Sequence, residues 1–167
     1  MNFQQKIDLS YIAGCIDSDG SFSIIKSSYL KKKTNTRIST WCAWIQIAQI
    51  DSEAINLMKK VFPFYNAYYE QIHNDNRLFF RLIFTGKKAY KVAKILEPFL
   101  HIKKRQAKLF PKIKLLLNEA PEIKFKTKRW SKGHKTSFDF MAHKLSQNQK
   151  NKRNQLVKEM RKLNGTL

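Results

Sequence analysis

The sequence predicts one α+β domain in which helices alternate with antiparallel hairpins in the order αββαββα, followed by a basic, helical C-terminal extension. Its 167 residues suit a single domain with a hydrophobic core. Hydrophobic residues make up 43% of the chain and aromatic residues 13%, which is far from the composition of a disordered protein. The predicted strands follow one another in pairs, which disfavours a purely parallel sheet. We expect a core domain over residues 1–120 and a basic extension of the same domain over residues 121–167.

The first helix is expected to run from Asp8, a suitable N-cap, to Gly20, a natural helix stop. Four apolar residues between them recur at the spacing of one helical face: Leu9, Ile12, Ala13 and Ile16. The segment is therefore expected to form a short amphipathic helix.

A long hairpin is predicted next, with strands over Phe22–Leu30 and Arg37–Gln49. Alternate residues of the second strand are apolar and are expected to face the core: Trp41, Ala43, Ile45 and Ile47. Thr40, Trp44 and Gln46 have the opposite parity and are expected to face outward, although Trp44 would also suit the core.

The remaining pattern predicts a second unit of helix and hairpin, and then further helices. Either Asp51 or Ser52 can cap the second helix, which should end near Phe62 because Pro63 interrupts it. Beyond Pro121 the chain is rich in lysine and is expected to be partly extended. The other elements are predicted at strands 65–72 and 77–84, helices 87–96 and 103–117, and a C-terminal helix 148–163.

Charge is the strongest indication of a partner. The chain has 33 Lys and Arg against 12 Asp and Glu, a formal net charge of +21 that favours binding to a polyanion such as nucleic acid. Residues 101–167 contain 19 of the basic and 4 of the acidic side chains, so the C-terminal part should dominate phosphate attraction. The sequence shows neither a membrane-span pattern nor a signal-peptide layout, so we expect an intracellular protein.

Two carboxylates occupy an unfavourable position at the C-terminal end of the first helix. Asp17 and Asp19 meet the negative end of the helix dipole there, at a cost of about 0.3–1 kcal/mol each. A divalent cation would reverse this effect, and hard oxygen ligands suit Mg²⁺. Ala13 and Gly14 leave little side chain on the helix, so the same helix of a second chain could approach closely. Twofold pairing would place two Asp19 side chains together, which requires metal or protons.

The segment Ile12–Gly20 resembles the LAGLIDADG motif of homing endonucleases and matches six of its nine letters. Only one copy of the motif is present, so the chain resembles the single-motif branch, whose members are homodimers. The resemblance covers roughly residues 1–120 and implies a LAGLIDADG-type αββαββα fold. It also implies divalent-metal hydrolysis of both DNA strands at a long pseudo-palindromic site. Glu53 departs from some relatives, which have a basic residue there, and we assign it no role.

The resemblance implies a set of active-site residues. Asp19 would be the catalytic carboxylate and direct metal ligand, and Ser18 would add a second ligand through its backbone carbonyl. Gln49 would orient metal-bound water, and Lys103 would lie near the scissile phosphate. Asp17 would cap a helix of the neighbouring subunit. From the residues alone, Gln49 could instead be a solvent-facing strand end, and Lys103 could simply begin a charged helix.

The same resemblance implies a homodimer and a cofactor. Mg²⁺ is the expected metal, Mn²⁺ is a workable substitute, and Ca²⁺ is expected to support DNA binding without cleavage. The residues expected at the dimer interface are Ile12, Ala13, Gly14, Ile16 and Asp17.

Family members place their curved sheet in the major groove of DNA, where the base edges distinguish all four base pairs. The candidates for base contacts on that geometry are Ser27, Tyr29, Thr40, Trp44, Gln46, Tyr68, Glu70, Arg77 and Arg81. The candidates for phosphate contacts are Lys31, Lys32, Lys33, Arg37 and Arg105.

Two other functions compete with DNA cleavage. Some proteins with this motif are RNA-binding splicing cofactors for the intron that encodes them, and the basic C-terminal part suits that use too. A DNA-binding regulator on the same scaffold is the third possibility. The presence of Asp19 favours cleavage over both, because a protein that only binds nucleic acid has no need of a metal carboxylate.

Overall fold

The computed structural model describes the backbone of residues 1–31, 36–72, 77–118, 122–131, 134–143 and 146–165. It describes the side chains of residues 1–26, 41–72, 77–114 and 146–165. The elements in chain order are α1 (Phe3–Asp19), β1 (Gly20–Lys31), β2 (Thr36–Gln49), α2 (Ser52–Val61), β3 (Ala67–Ile72), β4 (Leu78–Thr85), α3 (Gly86–Leu96), α4 (Lys104–Asn118), β5 (Glu122–Ser131), β6 (His134–His143) and α5 (Gln147–Leu163).

The fold is the predicted α+β arrangement. Strands β1 to β4 form an antiparallel sheet in the order β1-β2-β4-β3, so the second strands of the two hairpins pair at its centre. The αββαββα order is therefore confirmed for α1 to α3, and α4 follows as a further helix. None of the helices in the described part of the chain is both long and apolar enough to cross a membrane.

The start of α1 differs from the prediction. The helix begins five residues before Asp8, and its N-cap is Asn2, whose side chain accepts from the Gln5 N–H at 2.8 Å. The Gln5 side chain accepts in turn from the Asn2 N–H at 2.9 Å, which completes a capping box. Asp8 lies inside the helix and accepts a hydrogen bond from Gln4. The reciprocal pair satisfies two orphan backbone groups, whereas Asp8 alone would satisfy one.

One face of the sheet forms the core, and the predicted parity of β2 is confirmed. Ala43, Ile45 and Ile47 are fully buried, and Trp41 packs against the edge of the same cluster. Phe22 of β1 and Phe84 of β4 flank Ile45 in register. Each of the helices α1 to α5 contributes buried residues to this cluster, so they cover this face of the sheet. We call the opposite face, with Trp44, Gln46 and Arg81, the outer face.

The C-terminal helix α5 packs back onto the core. Val157 and Met160 are buried, and the Asn164 side chain donates to the Phe22 carbonyl at 2.8 Å. The Arg153 guanidinium lies 4.9 Å from the centre of the Trp41 ring. The helix prediction for this segment is confirmed. The lysine-rich stretch before it forms the antiparallel pair β5-β6, of which the sequence predicted only extended character.

Candidate active site

Asp19 ends α1 and lies at the point where the helix passes into β1. Gly20 makes this passage possible, because a Cβ there would lie 2.8 Å from the Ile16 carbonyl oxygen. The chain therefore turns directly from helix to strand, with no loop between them. Asp19 is left exposed at the edge of the sheet.

Gln49 meets Asp19 across 30 residues of sequence. The amide Nε2 of Gln49 donates to Asp19 Oδ2 at 2.8 Å, and the Ser18 hydroxyl donates to the same oxygen at 3.0 Å. The β1–β2 register explains the meeting, because Gly20 pairs with Ile47 and the last residue of β2 therefore reaches the end of α1. With Nε2 used in this way, the Oε1 atom of Gln49 is left as an acceptor beside the carboxylate.

Asp17 is buried and caps a segment of its own chain. Its Oδ2 atom accepts from the backbone N–H groups of His101 and Ile102 at 2.7 and 3.2 Å. Its Oδ1 atom accepts from the backbone N–H group of Lys103 at 2.8 Å. These donors immediately precede α4. The expectation that Asp17 caps a helix of a neighbouring subunit is therefore wrong, because all three donors lie within the same chain and enclose the carboxylate.

Lys103, the residue before α4, contacts the C-terminal end of α1 through its side chain. Its ammonium donates to the carbonyl oxygens of Ile16 at 2.8 Å, Asp17 at 2.6 Å and Ser18 at 3.2 Å. The Ile16 carbonyl also accepts from the Gly20 backbone N–H. The Asp17 and Ser18 carbonyls follow it in the last helical turn, where helix termini leave carbonyls without intrahelical partners. Burial lowers the pKa of Lys103, and the attraction of Asp17 and Asp19 opposes that effect. The expected phosphate-facing lysine is thus beside Asp19, but its ammonium is bonded to α1.

The donor atoms at this point suit a hard cation. The Asp19 carboxylate, the Ser18 carbonyl and the Gln49 Oε1 atom are all oxygen, the ligand type that Mg²⁺ prefers. Within the part of the chain that the structure describes, no group of three or more His, Cys, Asp or Glu side chains is suitably arranged to hold a metal. One chain therefore offers a partial shell that water, phosphate or a second chain would have to complete.

The exposed side of α1 carries an apolar stripe. Phe3, Ile7 and Tyr11 are 79%, 45% and 50% exposed and recur at four-residue spacing, and Gly14 follows on the same side. A Cβ at Gly14 would meet nothing within 4 Å. The face is therefore flat where Gly14 lies and apolar towards its N-terminal end.

The other residues expected at a dimer interface lie on the opposite side of α1. Ile12 and Ala13 are 0% exposed and Ile16 is 1% exposed within the single chain. Asp17 is also buried by its own chain. These four residues pack into the core and have almost no surface to offer a second chain, so of the expected set only Gly14 remains available.

The outer face of the sheet contains part of the expected DNA-contact set. Trp44 and Gln46 are half-buried there, and Arg81 pairs with Ala48 on the same face. Arg77 and Arg105 are exposed, just before β4 and on α4 respectively. Lys32 and Lys33 lie outside the described residues, and only the backbone is described, within β1 and β2, for Ser27, Tyr29, Lys31, Arg37 and Thr40.

Tyr68 and Glu70 face the helices and not the outer face. The β3–β4 register pairs Tyr68 with Leu82, a core residue, and the Lys59 ammonium of α2 lies 4.0 Å from the Tyr68 ring centre. The Tyr68 hydroxyl donates to Glu70 at 2.6 Å, which raises the pKa of Tyr68 to about 12. The expectation that both residues contact bases is therefore wrong, because the predicted parity of β3 differs from the observed one by one residue.

Tyr69 and Gln71 have the outward parity on β3 that was expected of their neighbours. Tyr69 pairs with Arg81 and is 46% exposed. Alternation alone could not have identified them, because aromatic and polar residues adjoin on this strand and the sequence gives no clean apolar series. Only the pairing with β4 fixes the face.

Comparison with known proteins identifies the fold. No protein-family model and no curated protein sequence matches the chain. Several solved structures do match the chain. The alignment with the archaeal intron-encoded homing endonuclease I-Vdi141I, complexed with DNA, covers 95% of this chain and 85% of that protein's chain. Its TM-score is 0.62, and the two sequences are 18% identical. The homing endonuclease I-CvuI, in complex with its target, covers 71% and 72%, with a TM-score of 0.55 and 19% identity.

The LAGLIDADG homing endonuclease I-SmaMI, bound to cleaved DNA, has a TM-score of 0.51 at 17% identity. It covers 66% of this chain and only 36% of its own. The chain therefore has the fold of the LAGLIDADG homing endonucleases, and its single motif occupies α1 and the first residue of β1.

Proposed function

We propose that the protein is a site-specific double-strand DNA endonuclease of the LAGLIDADG homing type, which acts as a homodimer with a divalent metal. The observation that carries this proposal is the convergence of Asp19, Ser18, Gln49 and Lys103, from three separate parts of the chain, at the end of α1. These are the four residues that the motif resemblance assigned to catalysis and metal binding. The similarity of the fold to DNA-bound homing endonucleases supports the same proposed function.

The chain's own residues would divide the work of hydrolysis. Asp19 would hold Mg²⁺ directly, with the Ser18 carbonyl as a further ligand. The bound metal would supply an activated water and offset charge on the scissile phosphate. Gln49 is anchored to Asp19 through its Nε2 atom, so its Oε1 atom can accept from a water and orient it. No side chain needs to form a covalent bond with the substrate.

The donor set and the structural neighbours support a divalent metal, and we propose Mg²⁺. Oxygen donors favour Mg²⁺, with Mn²⁺ as a substitute. I-CvuI has been solved with DNA in the presence of 2 mM Mg, with the DNA not cleaved, and in the presence of 2 mM Ca. For this protein we expect cutting with Mg²⁺ and binding without cutting with Ca²⁺.

Dimerisation would bring two such sites together across the exposed side of α1. Gly14 lets a second backbone approach, and Phe3, Ile7 and Tyr11 supply apolar surface beside it. Three large apolar side chains in one exposed row are unusual for a monomer surface and indicate a partner. Two copies of Asp19 would then lie close to the twofold axis, because Asp19 ends the same helix.

The outer face of each sheet would bind DNA. Trp44, Gln46, Tyr69 and Arg81 lie there, with aromatic, amide and guanidinium groups able to contact base edges. The net charge of +21 would supply the phosphate affinity that holds the duplex in place.

The proposal is tested by cleavage of a plasmid that carries the uninterrupted insertion site of the intron that encodes the protein. Purified protein is incubated with Mg²⁺, and parallel reactions contain EDTA or a plasmid with the site scrambled. We expect one double-strand cut that requires both Mg²⁺ and the site. Absence of cutting, together with tight binding to RNA transcribed from that intron, would contradict the proposal and favour a splicing cofactor.

A further inference from the structure

The C-terminus of α1 and the start of α4 cap each other reciprocally. Asp17 of α1 accepts three backbone N–H groups that precede α4, and Lys103 donates three ammonium hydrogens to carbonyls of α1. The two residues are 86 positions apart in sequence. We call this pair of contacts the Asp17–Lys103 clamp.

The clamp fully occupies the Lys103 ammonium. A lysine has three N–H donors, and each of the Ile16, Asp17 and Ser18 carbonyls accepts one. A lysine that only served to attract phosphate would be expected to extend into solvent, where its flexible stem costs no ordering. Here the side chain is instead folded back and half-buried against a helix end.

The ammonium also neutralises a concentration of negative charge. The helix terminus contributes about half a negative charge, and Asp17 and Asp19 add one carboxylate each within the same three residues. A divalent cation bound at Asp19 would meet the same electrostatic field. One of the three carbonyls bonded to Lys103 belongs to Ser18, the residue whose carbonyl is proposed to ligate that cation.

We infer that Lys103 is a positioning residue: its ammonium closes the end of α1, holds the Asp19 turn in place, and acts as a built-in cation that opposes metal binding by the free protein. The stabilising part of this inference rests on geometry alone. The part that concerns metal rests on the proposed function, since it requires Asp19 to be the ligand.

Removal of the Lys103 ammonium should lower the melting temperature and raise the affinity for a divalent cation. Lys103→Met keeps the length and apolar stem of the side chain but removes the charge and the donors. The melting temperature of the metal-free protein should fall by several degrees, because three carbonyls lose the ammonium that donates to them. The affinity of the DNA-free protein for Ca²⁺, measured by calorimetry, should rise about tenfold, the scale on which a unit charge acts on a nearby divalent ion.

Two further variants separate charge from position. Lys104→Met removes the same charge from the next residue, for which the described contacts include none with α1, and it should leave both quantities near the wild-type values. Lys103→Arg keeps the charge with a different donor geometry. It should lower the melting temperature less than methionine does and should leave Ca²⁺ affinity within about twofold of wild type.

The wild-type protein provides a test that does not depend on any variant folding. The ammonium ¹⁵N signal of a lysine bonded to three carbonyls should be slow in hydrogen exchange and visible in a correlation spectrum, and adding Ca²⁺ should shift it. Weaker Ca²⁺ binding by Lys103→Met, or a Lys103 ammonium that exchanges as fast as exposed lysines, would overturn the inference. If the protein proved not to cut DNA, the melting and exchange results would still decide the structural part.

Discussion

At the end of α1, a few backbone and side-chain atoms determine how the site is assembled. Three peptide carbonyls meet the Lys103 ammonium, three peptide N–H groups meet the Asp17 carboxylate, and the Asp19 carboxylate remains exposed. Two aspartates of one motif, separated by Ser18, therefore have different roles, because one is enclosed by donors and the other is accessible. We interpret Asp17 as structural and Asp19 as functional.

The structural role of Asp17 can be measured directly. Asp17→Asn places an amide N–H₂ where backbone N–H groups now donate, so at least one donor loses its acceptor. The free energy of unfolding should fall by about 2–3 kcal/mol, the scale of hydrogen bonds to a buried charge. Urea denaturation checks this, with Asp8→Asn on the same helix as the control. Asp8 is a surface residue, and its change should be within about 0.5 kcal/mol.

At the scale of secondary-structure elements, α1 has two sides with different uses. One side packs Ile12, Ala13 and Ile16 into the core, and the other exposes Gly14 and the apolar stripe. The motif letters alone do not reveal this division, because small and apolar residues occur on both sides. The burial of each residue in its own chain shows which side of α1 is left exposed.

Gly14→Leu tests the use of the exposed side. A Cβ at this position meets no atom within 4 Å in the single chain, and leucine removes the cost of about 1 kcal/mol that glycine carries inside a helix. The monomer should therefore not lose stability, while self-association should weaken at least tenfold because two α1 helices can no longer approach. Sedimentation equilibrium provides the measurement. Asn56→Leu, which adds the same exposed side chain to α2, should leave self-association unchanged.

Strand register is the part of the fold that the sequence determined least well. The alternation in β2 was clear, with Ala43, Ile45 and Ile47 in one series, and its face was predicted correctly. In β3 the predicted parity is wrong by one residue, because Tyr68 and Tyr69 are both aromatic and only the pairing with β4 distinguishes them.

A pair of substitutions in β3 checks the corrected register. Tyr69→Ala should weaken binding to the DNA target about tenfold and leave the melting temperature almost unchanged, because Tyr69 is exposed on the outer face. Tyr68→Ala should do the reverse, because Tyr68 packs beside the core and under Lys59. Fluorescence anisotropy and thermal denaturation provide the two measurements. A reversed result would restore the original assignment.

At the scale of the whole molecule, local patterns were sufficient for the order of elements and insufficient for the contacts that join them. Periodicity and turn residues predicted αββαββα, and the motif resemblance identified Asp19, Gln49 and Lys103 as one group. The structure brings these three together. The Asp17–Lys103 clamp was not predictable, because it depends on how α3 and α4 return the chain to α1, which no local pattern encodes.

The positive charge of the whole chain has a consequence for binding. Each phosphate contact neutralised by Lys or Arg releases counterions, so the logarithm of the affinity should fall linearly with the logarithm of salt concentration. With a net charge of +21, we expect a slope steep enough to reduce affinity by roughly a thousandfold between 50 and 200 mM salt. Binding titrations over that range check this. A flat response would exclude phosphate contacts as the main source of affinity.

Asp19 is proposed to hold the metal with which the protein cuts DNA, and a comparison of Asp19→Asn with Asp8→Asn for target binding in Ca²⁺ and for target cleavage in Mg²⁺ measures this role. Both variants remove one carboxylate from the same helix. We expect both to bind the target with an affinity close to that of wild type, Asp8→Asn to cut it, and Asp19→Asn to show cleavage at least a thousandfold slower. Cleavage by Asp19→Asn at the wild-type rate would contradict the account.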